Sequence, residues 1–140
     1  MAKQTGLGDY LAIDDSGGTA RAVSNDVHSL SVTLPQELLD VTGLDKSAAE
    51  RLAALSDGTF SLTATFNAAA TTGIHTVLSA ARTTARTLTY CVGGNSGGNP
   101  KLECEVLIGS LSYERAANGA LTMSADLSLS NGTVPTWGTV

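Results

Sequence analysis

Alternation of apolar and hydroxylated residues is the feature that most constrains the fold of this chain. Over residues 60–67 and 121–129, every second residue is apolar, and the residues between are Ser, Thr, Asn or Asp. Shorter runs at 26–34, 87–92 and 102–108 repeat the pattern. Successive side chains of a strand point to opposite faces, so these runs predict strands with one packed and one solvated face. That arrangement is typical of an antiparallel sheet, and we expect an all-β fold.

Turn residues separate the predicted strands. Asp14–Gly18 predicts a hairpin turn between Tyr10–Ile13 and Thr19–Ser24, and Ala116–Gly119 predicts a second hairpin turn. Pro35 ends the strand that begins near Asp26, because proline cannot donate to a ladder. In that strand we place His28 on the same face as Leu30 and Val32. The glycine-rich segment 93–100 is expected to be a flexible loop.

The period changes between residues 35 and 57. Ser47 and Glu50 have the spacing of a capping box, and Ala48, Leu52 and Leu55 then fall on one helical face. We therefore predict one flanking α-helix over 45–57, ending at Asp57-Gly58. Segment 73–81 is expected to be weakly helical or irregular. Off the apolar face lie three charged residues that either face solvent or meet an adjacent subunit: Lys46, Glu50 and Arg51.

Length and charge exclude several classes of protein. A chain of 140 residues predicts a single domain over 1–140. Eight basic residues against thirteen acidic ones give a net charge of −5, which argues against a basic nucleic-acid-binding domain. No apolar stretch approaches the ~18 residues of a membrane span, and the N-terminus lacks the apolar core of a signal peptide. We therefore expect no membrane segment and a protein made in a cytosol.

A search for catalytic chemistry yields no convergent set of residues. His28 and His75 lack the spacing of a metal pair, and the carboxylates at Asp14-Asp15 and Glu103/Glu105 fit turn and strand positions. Parity places the thiols of Cys91 and Cys104 on opposite faces of the sheet, which argues against a disulfide. No phosphate loop, nucleophile elbow or dinucleotide fingerprint is present. We predict no enzyme activity, no metal and no cofactor.

The two terminal segments carry apolar residues in polar, glycine-bearing surroundings. The N-terminal arm, 1–9, contains Leu7 and leads into Tyr10, and the C-terminal tail, 131–140, contains Val134 and Trp137. Two interpretations remain open for these arms. They fold back on their own domain, or they dock on neighbouring subunits, where Trp and Tyr are common anchors.

A resemblance to a known family rests on three stretches. The run from Asp40 to Leu52 (DVTGLDKSAAERL) leads through Asp57-Gly58 to Phe66-Asn67, residues 2–9 read AKQTGLGD, and Trp137-Gly138 lies near the end. Together they resemble the major tail tube protein of siphophages. The resemblance implies a β-sandwich or barrel with one flanking helix. It also implies hexameric rings that stack into a tube, each subunit contributing four strands to a continuous inner barrel.

The same resemblance implies a structural virion protein of the phage tail, assembled in the bacterial host cytoplasm, whose tube conducts the viral genome without binding it. Implied partners are other copies of the chain, a tape-measure protein, a tail terminator and baseplate or tail-tip proteins. Because DNA is dense with negative charge, the lumen should be acidic or hydroxylated. From face polarity, we predict these lumen-facing residues: Glu103, Glu105, Asp126, Thr122 and Ser124. We predict these subunit contacts: Leu7, Tyr10, Lys46, Glu50, Arg51, Val134 and Trp137.

An alternative function is a monomeric β-sandwich module that binds carbohydrate or a cell surface. Such modules use clusters of exposed aromatic side chains, and this chain has one Trp, three Tyr and two Phe.

Overall fold

The computed structural model describes residues 3–80 and 82–140. The all-β prediction is confirmed: the described residues form ten strands and a single short helix. None of their helices is long and apolar enough to cross a membrane. The elements in chain order are β1 (Tyr10–Asp14), β2 (Ala20–Ala22), β3 (Val27–Thr33), β4 (Gln36–Asp40), β5 (Arg51–Ser56), β6 (Thr59–Thr65), α1 (Ile74–Ser79), β7 (Arg86–Cys91), β8 (Pro100–Arg115), β9 (Leu121–Leu129) and β10 (Trp137–Thr139).

One antiparallel sheet contains most of the strands. Its order is β2-β1-β7-β8-β9-β6-β3, and β10 pairs separately with β8. Leu11 and Ile13 near one end of this order share a core cluster with Phe60 and Leu62 near the other end. The sheet therefore curls around its own apolar face, and the alternating residues that point inward form the core, as the sequence pattern predicts.

The long strand β8 belongs to two parts of the curled sheet. Its first half pairs with β7, from Lys101 to Val106, and its second half pairs with β9. The register shifts between Ile108 and Ser110, which leaves Gly109 as the extra residue of a β-bulge. A bulge bends a strand and increases its twist, so β8 turns the corner between the two parts at this point.

The predicted helix over 45–57 is wrong. Residues 51–56 instead form β5, which pairs with β4 in a separate two-stranded hairpin. Side chains at the hairpin turn take the place of the predicted cap: Asp40 accepts hydrogen bonds from the amide and the hydroxyl of Thr42, and that hydroxyl accepts from the Glu50 amide at 2.8 Å. The amide at Glu50 is thus held in the hairpin. Helix propensity is a weak prior that such local pairing overrides.

The helix of this chain, α1, lies where the sequence indicates only weak helical character. It buries Ile74, Val77 and Leu78 against the inner face of the sheet. Gly73 precedes it in a close approach, because a Cβ there would lie 2.4 Å from the carbonyl oxygen of Asn67. A helix of six residues is marginal by itself, so its burial must stabilise it.

A buried arginine joins α1 to the sheet. The Arg86 side chain is fully buried, and its guanidinium donates to the backbone carbonyls of Asp14, Val77 and Ala80. Within the described residues, its Nε has no partner. Burial lowers the pKa of Arg86, and the nearby Asp15 and Asp14 oppose that shift. Since two of the three carbonyls lie at the end of α1, this side chain fixes the helix inside the sheet.

Both predicted hairpins are confirmed. β1 and β2 pair across the turn at 14–19, and β8 and β9 pair across a turn in which Gly119 has a φ of 92°.

The prediction for His28 is wrong, because the register of β3 shifts between Val27 and Ser29. This irregularity turns the exposed His28 ring to Thr65 on the polar face, away from Leu30 and Val32.

Candidate assembly surfaces

The solvated face of the sheet carries three of the predicted lumen residues side by side. Asp126, Ser124 and Thr122 alternate along β9, and directly opposite them on β6 lie Ser61, Thr63 and Thr65. The Ser61 hydroxyl donates to Asp126 at 2.8 Å. On the other side of β9, β8 adds Ser110, Ser112 and Glu114 in the same registers. The result is a hydroxyl-rich surface with few charges.

The other two predicted lumen residues lie on the first half of β8. Glu103 is opposite Thr89 and Glu105 is opposite Thr87, and both threonine hydroxyls donate to the carboxylates. Lys101 lies 3.8 Å from Glu103. The structure thus divides the five predicted residues into a group on β9 and a group on the part of the sheet that contains β7.

Within the described residues, the part of the sheet formed by β8, β9, β6 and β3 is open at both of its outer edges. β3 is the last strand of the sheet order, and β8 from 107 to 115 extends beyond the end of its pairing with β7. The Ala116 amide donates to the carbonyl of Ala120, and this bond fixes the alternation along the β8–β9 ladder. Main-chain groups of Ser112 and Glu114 consequently point to β9. Those of Leu111, Tyr113 and Arg115 point to the open edge.

The β4–β5 hairpin exposes large apolar side chains. Its members include Leu55, at 79% exposure, and Leu52, at 59%. The remaining exposed residues of this kind in the hairpin are Leu38, Leu39, Val41 and Leu44. Exposed apolar patches rimmed by polar residues mark interaction sites in soluble proteins. At the hairpin base, a groove is lined by Glu37, Leu55, Asp57 and Val134, among others.

Three predicted subunit contacts lie on this hairpin and its turn. Arg51 is opposite Asp40 in the β4–β5 ladder, Glu50 precedes it, and Lys46 lies 3.8 Å from Asp45. All are exposed. The sequence indicated the right region of the chain for exposed charge, although it assigned that region to a helix.

The N-terminal arm contacts its own domain at one carboxylate. Asp9 accepts hydrogen bonds from the Tyr90 hydroxyl at 2.5 Å and from the Gly93 amide at 2.8 Å. Burial, together with this bond to Asp9, raises the pKa of Tyr90 to about 12. Leu7 is 84% exposed, and Tyr10 pairs with Cys91. Met1 and Ala2 of the predicted arm lie outside the described residues.

The C-terminal tail also pairs with its own domain. Trp137 lies opposite Leu102 of β8, its ring meets that of Tyr90 edge-on at 6.2 Å, and 48% of its surface is exposed. The Val140 amide donates to Asn99, which ties the tail to the glycine-rich loop. Val134 lies exposed at the rim of the groove beside the β4–β5 hairpin. Their contacts with other subunits stay predictions.

The remaining candidates form no catalytic set. His75 lies 3.0 Å from the Tyr113 hydroxyl, far along the chain from His28 and its partner Thr65. Cys91 and Cys104 are free, buried thiols whose registers confirm the predicted opposite faces. Burial raises the pKa of Cys104 to about 11. Among the described residues, no cluster of His, Cys, Asp or Glu could hold a metal ion.

Sequence reasoning missed Arg86 and the open edges. Arg86 opens a run that alternates like any other strand, so nothing in the sequence marks it as buried. The open edge of β8 follows from the strand lengths in the structure, 16 residues in β8 against six in β7, whereas the alternating pattern indicated β8 only over 102–108.

Solved structures share this fold. A chain from the tail of an empty GTA particle, determined with C6 symmetry, is 14% identical, with a TM-score of 0.71 and 99% of each chain covered. A chain of the SPP1 tail tube is 12% identical, with a TM-score of 0.70 over 93% of this chain and 80% of that one. A chain of the anti-feeding prophage baseplate is 10% identical, with a TM-score of 0.64 over 100% and 97%.

No family model and no curated protein matches the chain. The structural similarity shows that the chain has the fold found in tail tubes. Because the sequence identities are low, the similarity supports a shared fold and nothing more specific.

Proposed function

We propose that this chain is a structural virion protein that polymerises into the tail tube of a siphophage. Hexameric rings stack to form a conduit for genome delivery. The observation that carries the proposal is a pair of open edges, one on β3 and one on β8. These edges lie at the two sides of a four-strand wall, which is the part of the sheet formed by β8, β9, β6 and β3. The shared fold with tail and tail tube chains supports it.

The geometry of the wall suits ring closure. Its order is β8-β9-β6-β3, and each neighbour is antiparallel to the next, so β8 and β3 run in opposite directions. Rotation about an axis along the strands preserves strand direction. The β8 edge of one subunit therefore meets the β3 edge of the next in antiparallel pairing. The seven residues of β3 fit within the nine residues of the open β8 edge.

Ring closure also removes a hazard. An open strand edge presents unpaired N–H and C=O groups and is a template for aggregation, which closed barrels abolish. With six copies, both edges of the wall are paired and its solvated face becomes the lining of a bore. Heterologous contacts of this kind generate closed rings when the rotation closes.

The proposed lining repels its cargo. Thr122, Ser124 and Asp126 lie on the wall with the hydroxyls of β6 and β8, and none of the residues that β6, β9 and the second half of β8 contribute to this face is Lys or Arg. Charges act on a sliding polyanion only within about 10 Å at 0.1 M salt, so these lining residues dominate. For Glu103 and Glu105, which lie on the half of β8 that pairs with β7, the lumen position stays a prediction.

The ends of the wall suit stacking. The exposed β4–β5 hairpin follows the end of β3, whereas the N-terminal arm lies beside its start, in a cleft lined by Leu7, Asp9, Val27 and His28. Seven strand residues separate the two surfaces by about 20 Å. In stacked rings, the hairpin of one subunit meets the arm side of the next ring. Leu7, Tyr10, Val134, Trp137, Lys46, Glu50 and Arg51 are the proposed subunit contacts.

The remaining partners follow from this role. We propose that a tape-measure protein occupies the bore before DNA, that a tail terminator and baseplate or tail-tip proteins bind the ends, and that assembly takes place in the host cytoplasm. The virion tail is the final location. The function requires no catalytic group and no cofactor.

Two variants at Tyr113 test ring closure. Tyr113→Pro removes an N–H that points to the open edge, and Tyr113→Ser removes the ring but keeps that N–H. With tail-initiating partners present, we expect electron microscopy to show tubes for Tyr113→Ser and none for Tyr113→Pro, while circular dichroism shows both folded. Tubes of normal length from Tyr113→Pro, or wild-type protein that never forms rings or tubes, would contradict the proposal. Stable monomers under those conditions would favour the binding-module alternative.

A further inference from the structure

The exposed residue Arg82 lies where the open edge of β8 begins. Arg82 precedes β7, and its Nη2 donates to the carbonyl of Gly109, the bulge residue, at 2.8 Å. This bond holds the guanidinium beside the open edge, just beyond the last β7–β8 pair at Val106. A guanidinium has five N–H donors, so most of them remain available to another acceptor. Within the described residues, Arg82 forms no ion pair.

Two exposed carboxylates lie at the end of the other edge. β3 ends at Thr33, and Pro35 then leads to Glu37. The Asp57 amide donates to the carbonyl of Pro35 at 3.0 Å, so Asp57 lies at the same end. Glu37 and Asp57 both line the groove at the base of the β4–β5 hairpin. Neither forms an ion pair within the part of the chain that the structure describes.

Antiparallel edge pairing brings these groups together between copies. Because β8 and β3 run in opposite directions, the start of the open β8 edge lies beside the end of the neighbour's β3. Adjacent strands are about 4.8 Å apart, which is within the reach of an arginine side chain. The charges are opposite, and Arg115 is a second basic residue on the β8 edge. Glu114 is the acidic exception there, and it points to the solvated face.

We infer that Arg82 of one subunit binds Glu37 and Asp57 of the next subunit in the ring, and that this contact sets the register of the shared β8–β3 ladder. The inference rests on the proposed ring. A slip of two residues along a strand moves the partner by about 6.6 Å, which separates the guanidinium from both carboxylates. Hydroxyl-rich strands by themselves specify the register of their pairing weakly. A charged contact at one end of the shared β8–β3 ladder would therefore fix that register.

Charge reversal tests the pairing. Arg82→Glu and the double variant Glu37→Lys/Asp57→Lys each place like charges together, and the triple variant restores opposite charges with reversed polarity. We expect each of the first two to raise the protein concentration needed for tube growth at least about tenfold, measured by sedimentation with tail-initiating partners. The triple variant should return to within about threefold of wild type. Raising the salt concentration should reduce the difference.

Arg21→Glu is the control for position, because it makes the same charge change on β2, at the far end of the sheet order, where Arg21 pairs with Asp15 of its own chain. Circular dichroism of each free subunit verifies folding. The inference is overturned when Arg82→Glu assembles like Arg21→Glu, or when the triple variant stays as impaired as the single. In both cases the wild type still forms tubes, so the proposed function stands. Wild-type protein that forms no rings overturns both.

Discussion

Two antiparallel strand pairs of this protein have opposite surroundings. In β6 and β9, Phe60, Leu62 and Leu127 lie against a shared core and are almost completely buried. In β4 and β5, Leu52 and Leu55 lie in a hairpin that packs on no layer of the described chain, and both are exposed. Both pairs contain leucines at the positions compared. The buried pair forms part of the subunit core, whereas the hairpin leaves apolar side chains exposed that the proposed neighbouring ring would cover.

The energetic consequence follows from burial. Full burial of a leucine side chain contributes about 1.5–3 kcal/mol, and an exposed leucine contributes little. The hairpin therefore adds little to the free energy of unfolding of a free subunit. An isolated two-stranded hairpin is marginally stable in water, and here the Asp40, Thr42 and Glu50 hydrogen bonds close it. Contact with another ring would cover the leucines that the subunit leaves exposed.

The largest effect on subunit stability is expected from Leu127→Ala. Leu127 is 1% exposed, and its truncation leaves a cavity between β6, β8 and β9. We expect the free energy of unfolding to fall by about 2–5 kcal/mol in urea denaturation. Leu127→Met, which keeps the volume, should cost less than about 1.5 kcal/mol. A loss below 1 kcal/mol for Leu127→Ala would show that the core and the hairpin differ less than their burial indicates.

A somewhat smaller effect is expected from Arg86→Met. The variant keeps an unbranched apolar side chain but leaves the carbonyls of Val77 and Ala80 without their donor. Unsatisfied buried acceptors cost about 1–3 kcal/mol, and the loss should concentrate at α1. Relative to the wild type, amide hydrogen exchange in the variant should accelerate more in α1 than in β9. Equal acceleration across the sheet and the hairpin would contradict the anchoring role.

The raised pKa of Tyr90, at the rim of the core, predicts that the stability of the subunit depends on pH in the alkaline range. That pKa is raised to about 12, against about 10 in a free chain, so the folded state keeps a proton that the unfolded state releases. The stabilisation is complete below pH 10 and is lost as the pH rises toward 12. Tyr90→Phe should have a shallower fall in stability over that interval than the wild type in chemical denaturation. Cys104, with its pKa raised to about 11, contributes in the same direction in both proteins.

A steeper alkaline fall in Tyr90→Phe than in the wild type would show that the bond to Asp9 does not hold the proton on Tyr90. Tyr10→Phe, in the neighbouring strand β1, is the comparison for loss of a tyrosine hydroxyl that is not the one bonded to Asp9.

The smallest effect on the subunit is expected from Leu38→Ser/Leu52→Ser/Leu55→Ser in the hairpin. Exposed substitutions change stability by about 0.5 kcal/mol or less each, so the three together should cost at most about 1.5 kcal/mol, less than Leu127→Ala alone. Tube growth with tail-initiating partners should nevertheless be lost, as seen by electron microscopy. Normal tubes would contradict the stacking role, and a stability loss similar to that of Leu127→Ala would contradict the comparison itself.

The sequence pattern predicted the strands of the sheet because their inward and outward residues alternate strictly, as at Phe60–Thr65 and Leu121–Leu129. It failed at 45–57, where Ala48, Leu52 and Leu55 have helical spacing but the residues around them pair with Gln36–Asp40. It placed His28 on the wrong face because a one-residue shift in register reverses every side chain that follows. Such shifts depend on partners distant in sequence and leave no local signal.

The chemistry of the candidate surfaces can be read from the sequence alone. The hydroxylated faces, the acidic balance and the apolar arms are properties of composition and period, which a chain carries before it folds. Packing of the folded chain determines which edges stay open, that Arg82 lies beside one of them, and that Arg86 is buried at the end of α1. These features arise where segments far apart in the chain meet, and the local pattern of residues holds no information about that meeting.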